Sequence, residues 1–379
     1  KLRLGLLEDS CWRCGVDSES HQKLKRVWSL RTLAWLTIGA VLAGYLIVIP
    51  SVNAFLEQFR EQQMIIPATD LDVYELFRIR TVNFLVFAVF TYYGACVASF
   101  INVVAKSVPS GASVTTRSSA CPACGKPIRR IDNLPLISYL NLEGRCRNCL
   151  STIPIRYFLT EVIGATIFGS LFLFELVTGA TNVPEFKRYF YAGILWIILY
   201  TKWPVIGIYL YHATLFSCLL MLSLMDLDRL RCPKWLSGFL LCIFAGLSVA
   251  IPTLQPVQFY VHLRTDFSNV LPPSTFPAVT CIAGGLIGWL FTSSIRLICN
   301  QRQLDTASCS TFPLAGTLVG ITLGWQATVT ILLLTTVVIA ITSAFKKLMA
   351  KRFVFHETII FSIVAFLHHP LWKWFDSFW

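Results

Sequence analysis

The chain has few charged residues for its length. Only 14% of its 379 residues are Asp, Glu, Lys or Arg, whereas 55% are hydrophobic, and the mean hydropathy is +0.64. A soluble globular domain carries roughly 25% charged residues, and a disordered chain combines high charge with few apolar side chains. The composition therefore excludes both classes and predicts an integral membrane protein.

Two further patterns are missing. The sequence has no series of short alternating apolar and polar segments, which a β-barrel would need. It also has no basic stripe with interleaved aromatic residues outside its apolar stretches, so its formal net charge of +12 does not indicate nucleic-acid binding. Apolar stretches of about 20 residues, the length of a membrane-spanning helix, instead recur along the chain. We predict an all-α polytopic protein of the lipid bilayer with about eight or nine transmembrane helices.

Lys and Arg cluster in the polar loops, and such clusters mark the cytoplasmic side of a membrane protein. The chain then divides into a cytoplasmic segment 1–31, two transmembrane helices with an external loop in 32–105, a cytoplasmic loop 106–156 and a transmembrane domain 157–379. The first segment contains one isolated pair, Cys11 and Cys14. A single pair is half of a metal site, and we assign it no role.

The loop 106–156 contains two Cys-x-x-Cys pairs separated by 21 residues. This is zinc-ribbon spacing, because each pair places two thiolates on one tight turn and four thiolates complete a tetrahedral site. Disulfides, or cysteines that serve as small apolar side chains, are the alternatives. A reducing cytoplasmic location would leave the thiols free to bind metal. We predict one structural zinc ion bound by Cys121, Cys124, Cys146 and Cys149.

Three motifs accompany the cysteine pairs: Ser99-Phe-Ile-Asn-Val-Val104 before them, Asn133-Leu-Pro-Leu-Ile-Ser-Tyr-Leu140 between them and Ile155-Arg-Tyr157 after them. With the cysteines, they resemble the prepilin peptidase family, the type IV leader peptidases, which are polytopic aspartic proteases. The resemblance is dense over residues 94–169, weaker but in order over 205–345, and absent from the N-terminal 80 residues.

The resemblance implies a multi-pass protein of the bacterial inner (plasma) membrane that serves type IV pili or type II secretion. Such enzymes cleave the basic leader peptides of prepilins and pseudopilins with two aspartates at the membrane edge. Many also methylate the new N-terminus with S-adenosylmethionine. Two alternatives stay open: a catalytically inactive relative that binds prepilins or scaffolds assembly, and a zinc-stabilised scaffold with unrelated partners.

The first catalytic aspartate of the family begins a pattern of Asp, six residues, Pro, and usually Asp or Asn. Asp226 and Pro233 fit this pattern, whereas Lys234 departs from it. The resemblance therefore implies a catalytic role for Asp226, and the alternative is an ordinary charge at a helix end. We also expect Asp226 and its neighbour Asp228 to attract a basic leader peptide.

The second catalytic aspartate of the family closes a Gly-x-Gly-Asp motif, and this sequence does not contain that motif. Counting back from the pair Gly324-Trp325 places the expected position at Phe312. The sequence therefore has no carboxylate at the position where the family has its second catalytic aspartate.

Aspartic proteolysis needs one carboxylate that deprotonates water and a protonated neighbour that donates to the scissile carbonyl. Asp305 is the nearest acid to the expected position, in a polar turn that should face Asp226. We predict that Asp226 and Asp305 form the catalytic pair. His356 and Glu357, which open the last apolar segment, are the next candidates to supply an acid.

Overall fold

The computed structural model describes residue 32 and residues 35–49, 51–52, 73–114, 120–186, 200–255, 276–301, 311–349 and 356–377. The segment 1–31 with its cysteine pair, and Asp305, lie outside the described residues. The described part is helical apart from turns and two isolated β-bridges. The prediction of an all-α protein is therefore confirmed.

We label eight helices of the described chain in order. They are α1 Val73–Ser107, α2 Ile155–Leu171, α3 Trp203–Leu227, α4 Lys234–Ala250, α5 Phe276–Gln301, α6 Phe312–Met349, α7 Glu357–His368 and α8 Trp372–Asp376. Short helical pieces are Gly44–Val48, Arg130–Asn133, Ile137–Asn141, Phe172–Val177, Pro252–Leu254 and His369–Leu371.

Five helical stretches of the described chain are long and apolar enough to cross a membrane. They are Phe77–Ser107, Ile155–Val177, Trp203–Leu227, Phe276–Ile298 and Phe312–Ala344, and two shorter apolar helices are Trp35–Val48 and Lys234–Ala250. The protein is thus a polytopic membrane protein. The total of eight or nine crossings counts stretches outside the described residues and stays a prediction.

The chain forms two compact units. One comprises Lys1–Thr81 with Leu140–Gly144, and the other comprises Val82–Tyr139 with Arg145–Trp379. In the described part of the first unit, the guanidinium carbon of Arg80 lies 5.7 Å from the ring centre of Tyr45. The second unit contains the cysteine pairs, Asp226 and the helices from α2 onward.

Helix α3 is the most buried of the five long apolar helices. Its sequence is apolar on all sides, and such a helix is stable only when it is surrounded by other helices or lipid. Leu215, Leu219 and Leu222 on this helix are at most 1% exposed. Side chains of α3 therefore lie in the core of this unit, including polar ones that the sequence places within the apolar stretch.

Helices α5 and α6 approach each other closely through glycines spaced four residues apart. A Cβ atom at Gly284 would meet the carbonyl oxygen of Gly320, and one at Gly288 would meet that of Gly316. Small residues at this spacing let two membrane helices bring their backbones into contact. Helix α6 is interrupted at Gly324, where φ is 82° and ψ is 175°, a conformation that favours glycine.

Candidate active site and metal-binding loop

The two cysteine pairs form two turns with the same backbone pattern. The amide of Cys121 donates to Lys126 O at 3.0 Å and Gly125 N donates to Cys121 O at 2.8 Å. In the second turn the same bonds, both 2.9 Å long, join Cys146 N to Ser151 O and Leu150 N to Cys146 O. Each turn holds its two cysteines on one side, as the spacing predicts.

The four cysteine sulfurs come together between these turns. Their Sγ atoms all lie within 4.8 Å of one another, and those of Cys121 and Cys149 are 3.8 Å apart. Two sulfurs of a tetrahedral zinc site with bonds of about 2.3 Å are roughly 3.8 Å apart, whereas a disulfide is about 2.05 Å long. The geometry excludes a disulfide between these two residues, and the cluster could hold a metal ion.

The protonation of the cluster is uneven. Backbone hydrogen bonds from Cys124 and Ala123 lower the pKa of the Cys121 thiol to about 6. The Lys126 backbone lowers the pKa of Cys124, but desolvation and the neighbouring Cys149 and Cys121 raise it further, to about 11. Hydrogen bonds from Ser151 also lower the pKa of the Cys149 thiol. A cation bound to all four sulfurs would displace the proton of Cys124.

Two contacts fix the segment between the cysteine pairs. Arg147 in the second turn donates to both carboxylate oxygens of Asp132, at 2.9 and 2.6 Å. The Leu136 amide donates to Glu161 Oε2 in α2 at 2.7 Å, and Leu136 has a positive φ of 64°. The first contact joins the two halves of the loop, and the second attaches the loop to the helix that follows it.

An ion pair links the start of α2 to the turn after α3. Both terminal nitrogens of Arg156 donate to the Asp228 carboxylate, and one of these contacts is 2.8 Å long. The Arg156 hydrogen bonds hold the pKa of Asp228 below its usual range. Asp228 is therefore already compensated by a positive charge, which disfavours the expectation that it attracts a basic leader.

Asp226 lies near the C-terminal end of α3, and its side chain is 3% exposed. The helix ends with Arg229 N donating to Asp226 O and Leu230 N donating to Met225 O, a Schellman turn. Arg229 takes the positive φ of this turn, 55°. Pro233 immediately precedes α4. The six residues between Asp226 and Pro233 therefore contain the end of α3 and the turn that connects it to α4.

The side chain of His356 lies close to that of Asp226. Its Nδ1 lies 3.5 Å from Asp226 Oδ2, which is an ion pair when His356 is protonated. Oδ2 makes no hydrogen bond within the described residues. Glu357, the next residue, begins α7 and is 2% exposed. The site thus combines a buried carboxylate with a histidine and a second buried acid adjacent in sequence.

The position expected for the second catalytic aspartate is apolar and fully buried. Phe312 begins α6 with 0% exposure, and its ring centre lies 5.6 Å from that of Phe361. Just before it, the Thr311 hydroxyl contacts Leu222 O at 3.5 Å and Thr358 Oγ1 at 3.2 Å. Because Leu222 is one helical turn before Asp226, the start of α6 lies near the end of α3 that carries Asp226. A phenyl ring occupies the position where the resemblance places the second aspartate.

The sequence matches one family model, the bacterial peptidase A24 N-terminal domain, over residues 92–174. It is 43% identical over 83 residues to the prepilin leader peptidase/N-methyltransferase of Myxococcus xanthus, which is 22% of this chain and 25% of that protein. It is 29% identical over 223 residues to the protein of the same name from Aeromonas salmonicida, which is 59% of this chain and 60% of that protein. These matches support the resemblance of the chain to the prepilin peptidase family.

The chain is also similar to the type 4 prepilin-like proteins leader peptide-processing enzyme of Escherichia coli. The two are 38% identical over 96 residues, which is 21% of this chain and 36% of that protein. The chain therefore matches between 25% and 60% of the length of these three relatives. No solved structure matches it. The matched family domain contains the cysteine pairs and α2.

No role was predicted from the sequence for Glu175, His212 and His369. The structure brings all three together in the second unit, and each is at most 1% exposed. Ionisable side chains within apolar stretches are rare and often functional. The positions of Glu175 and His212 within such stretches could therefore have indicated a site. The contact between Arg156 and Asp228 carried no such signal, because the two residues are 72 positions apart.

Proposed function

We propose that the protein is a prepilin leader peptidase of the bacterial inner membrane, in which Asp226 is a catalytic carboxylate. The observation that supports this most is the buried position of Asp226 at the end of an apolar helix, two residues before Asp228. Through Asp228 and Arg156 that helix end is attached to the segment that follows the cysteine loop. The relatives named as prepilin leader peptidases support the same activity.

The proposed reaction is hydrolysis of one peptide bond at the leader of a type IV prepilin or pseudopilin. Asp226 in its ionised form would accept a proton from the attacking water, and a second, protonated carboxyl would donate to the scissile carbonyl. Protonated His356 would stabilise the negative charge of Asp226. We propose Asp305 as the second carboxyl, with Glu357 as the next candidate because of its buried position beside His356.

We propose that the four clustered cysteines bind one structural zinc ion. The sulfur spacing fits a tetrathiolate site, and bound zinc would supply much of the folding free energy of a loop with few buried apolar residues. We place this loop in the cytoplasm on the basis of its excess of Lys and Arg. Metal analysis should find one zinc ion fewer in a Cys146→Ser, Cys149→Ser variant than in the wild type, and equal zinc in both proteins would contradict the site.

We also propose that the protein methylates the new N-terminus with S-adenosylmethionine. The support for this step is the name of two relatives, which includes N-methyltransferase. Transfer of the methyl group from radiolabelled S-adenosylmethionine to a cleaved prepilin tests it. Cleavage without incorporation of label would restrict the protein to the peptidase reaction.

The decisive experiment is cleavage of a prepilin reporter by membranes that contain the protein. Wild type should cleave, while Asp226→Asn and Asp305→Asn should each lower the rate by about a thousandfold or more, because catalytic groups that act as a unit are lost together. Asp376→Asn, which removes an acid at the end of α8, is the matched control and should cleave normally. Normal cleavage by Asp226→Asn would refute the assignment.

Two further outcomes distinguish the alternatives. Loss of cleavage in Glu357→Gln with normal cleavage in Asp305→Asn would assign the second carboxyl to Glu357. If the wild type cleaves no prepilin but binds it, and Phe312→Asp with flanking glycines gains activity, the protein is a non-catalytic relative that binds prepilins.

A further inference from the structure

A second buried cluster lies in the half of α3 that is remote from Asp226. Glu175 belongs to the helical turn Phe172–Val177 after α2, His212 to α3, and His369 to the turn after α7. His212 precedes Asp226 by fourteen residues, which is about 21 Å along a helix. The cluster is therefore separate both from the candidate catalytic end of α3 and from the four cysteines.

Three atoms of this cluster meet at one point. His369 Nε2 lies 3.0 Å from Glu175 Oε1 and 3.2 Å from His212 Nδ1, and His212 Nδ1 contacts the same carboxylate oxygen. For a tetrahedral cation with bonds of about 2.0 to 2.1 Å, neighbouring ligand atoms are roughly 3.3 Å apart. Two of the three distances are thus close to an edge of a coordination tetrahedron, whereas the His212 Nδ1 contact with Glu175 Oε1 is shorter and would have to lengthen around a cation.

The proton positions also favour a cation. A carboxylate oxygen only accepts hydrogen bonds, so both histidines would have to direct an N–H at Glu175 Oε1. Those two N–H groups would then face each other across the 3.2 Å between His369 Nε2 and His212 Nδ1. A metal ion removes this conflict, because it replaces both protons and takes a lone pair from each ring.

The surroundings hold the cluster in place and leave ligand atoms available. Asn182 Nδ2 donates to the backbone oxygen of His369 at 3.2 Å, which fixes the turn that carries this histidine. Glu175 Oε2 and His212 Nε2 are buried and make no hydrogen bond within the described residues. Glu175 Oε2 can therefore serve as an additional oxygen ligand, and a buried carboxylate between two histidines lacks a permanent positive partner.

We propose that Glu175, His212 and His369 bind a divalent transition-metal cation of the zinc class, at a site distinct from the cysteine cluster. Two imidazole nitrogens and a carboxylate are borderline ligands that suit zinc and its neighbours, whereas calcium and magnesium prefer oxygen ligands. The cation would join the helical turn Phe172–Val177, helix α3 and the turn His369–Leu371. The site stands whether or not the protein cleaves prepilins.

The test uses the full-length protein, expressed with added Zn²⁺ and purified in detergent. A Cys146→Ser, Cys149→Ser variant leaves this cluster untouched, and elemental analysis should find one Zn²⁺ per chain in it. X-ray absorption at the zinc edge of that variant should show nitrogen and oxygen neighbours at about 2.0 to 2.1 Å and no sulfur. Absence of such a metal ion in the correctly folded variant overturns the proposal.

Variants of the cluster give the second arm of the test. In the cysteine-variant background, Glu175→Gln and His369→Gln should each lose the remaining Zn²⁺, and chelator should no longer lower the unfolding temperature. His368→Gln is the matched control, because His368 is 2% exposed, adjacent in sequence, and stacked on Phe375 at 4.8 Å rather than on the cluster. An unchanged zinc content in Glu175→Gln, or an equal loss in His368→Gln, would overturn the assignment.

Discussion

The ion pair of Arg156 and Asp228 should fix the position of the candidate catalytic turn. We consider Asp228→Asn, Arg156→Gln and the double substitution. The side chains are 30% and 21% exposed and make two parallel contacts. Exposed pairs contribute about 0.2–1 kcal/mol, and breaking a fully buried pair costs about 3–5 kcal/mol. At this intermediate burial, we expect each single substitution to cost about 1–3 kcal/mol and the coupling to be about 1–2 kcal/mol.

The pH dependence has a definite sign. Arg156 lowers the pKa of Asp228 in the folded protein. The pair therefore stabilises the fold fully above the unfolded-state pKa of about 3.9, and this contribution is lost as the pH falls through the folded-state pKa. The difference in unfolding free energy between wild type and Asp228→Asn should be constant near neutral pH and should shrink below about pH 4.

Unfolding by SDS titration in mixed micelles measures this coupling. Additive single substitutions, with a coupling below about 0.5 kcal/mol, would refute a structural role for the pair. Prepilin cleavage distinguishes positioning from substrate attraction. If the pair positions the turn, both single variants should lose activity to a similar extent and the double variant should be little worse. If Asp228 attracts the leader, Asp228→Asn alone should raise KM while Arg156→Gln should lower it.

Two other predictions concern backbone positions. Gly288→Ala should lower the unfolding free energy by about 1–3 kcal/mol, because its Cβ would meet the Gly316 carbonyl oxygen, whereas Gly238→Ala, with open space around its Cβ, should be neutral or stabilising. SDS titration compares the two, and equal effects would contradict the close helix contact. Leu150 has a φ of 58° where the first cysteine turn has Gly125 with a φ of 67°. Leu150→Gly should stabilise the loop by about 1 kcal/mol and slow zinc transfer to a chelator, because glycine adopts this φ without strain. Gly125→Ala should destabilise the loop and speed the transfer. Faster transfer from Leu150→Gly would show that the Leu150 side chain matters more than its backbone conformation.

Much of the fold class followed from local composition. Apolar stretches of membrane-spanning length identify helices one at a time, so the all-α membrane architecture needed no knowledge of packing. The number of membrane crossings was harder to predict, because the length of a short apolar helix such as Trp35–Val48 does not show whether it crosses the membrane.

The candidate site also has some features that the sequence predicted and others that it did not. The spacing within Cys121–Cys124 and Cys146–Cys149 is local, and it was sufficient to predict that the four sulfurs meet. The resemblance implied a catalytic role for Asp226 from its distance to Pro233, and the structure shows that this distance spans one turn between two helices; the catalytic role itself stays a prediction. The contact of His356 with Asp226 could not be read from the sequence, because it depends on where α7 begins relative to the end of α3.

Short stretches of the chain were enough to predict a helical membrane protein with a four-cysteine loop and a resemblance to the prepilin peptidase family, because each of those features is local in sequence. The contact of Arg156 with Asp228, and the meeting of Glu175, His212 and His369 from three elements, appear only in the folded protein. They depend on packing, since the rotation and axial offset of packed helices determine which side chains face each other. Those offsets result from contacts across the whole core, and no local pattern encodes them.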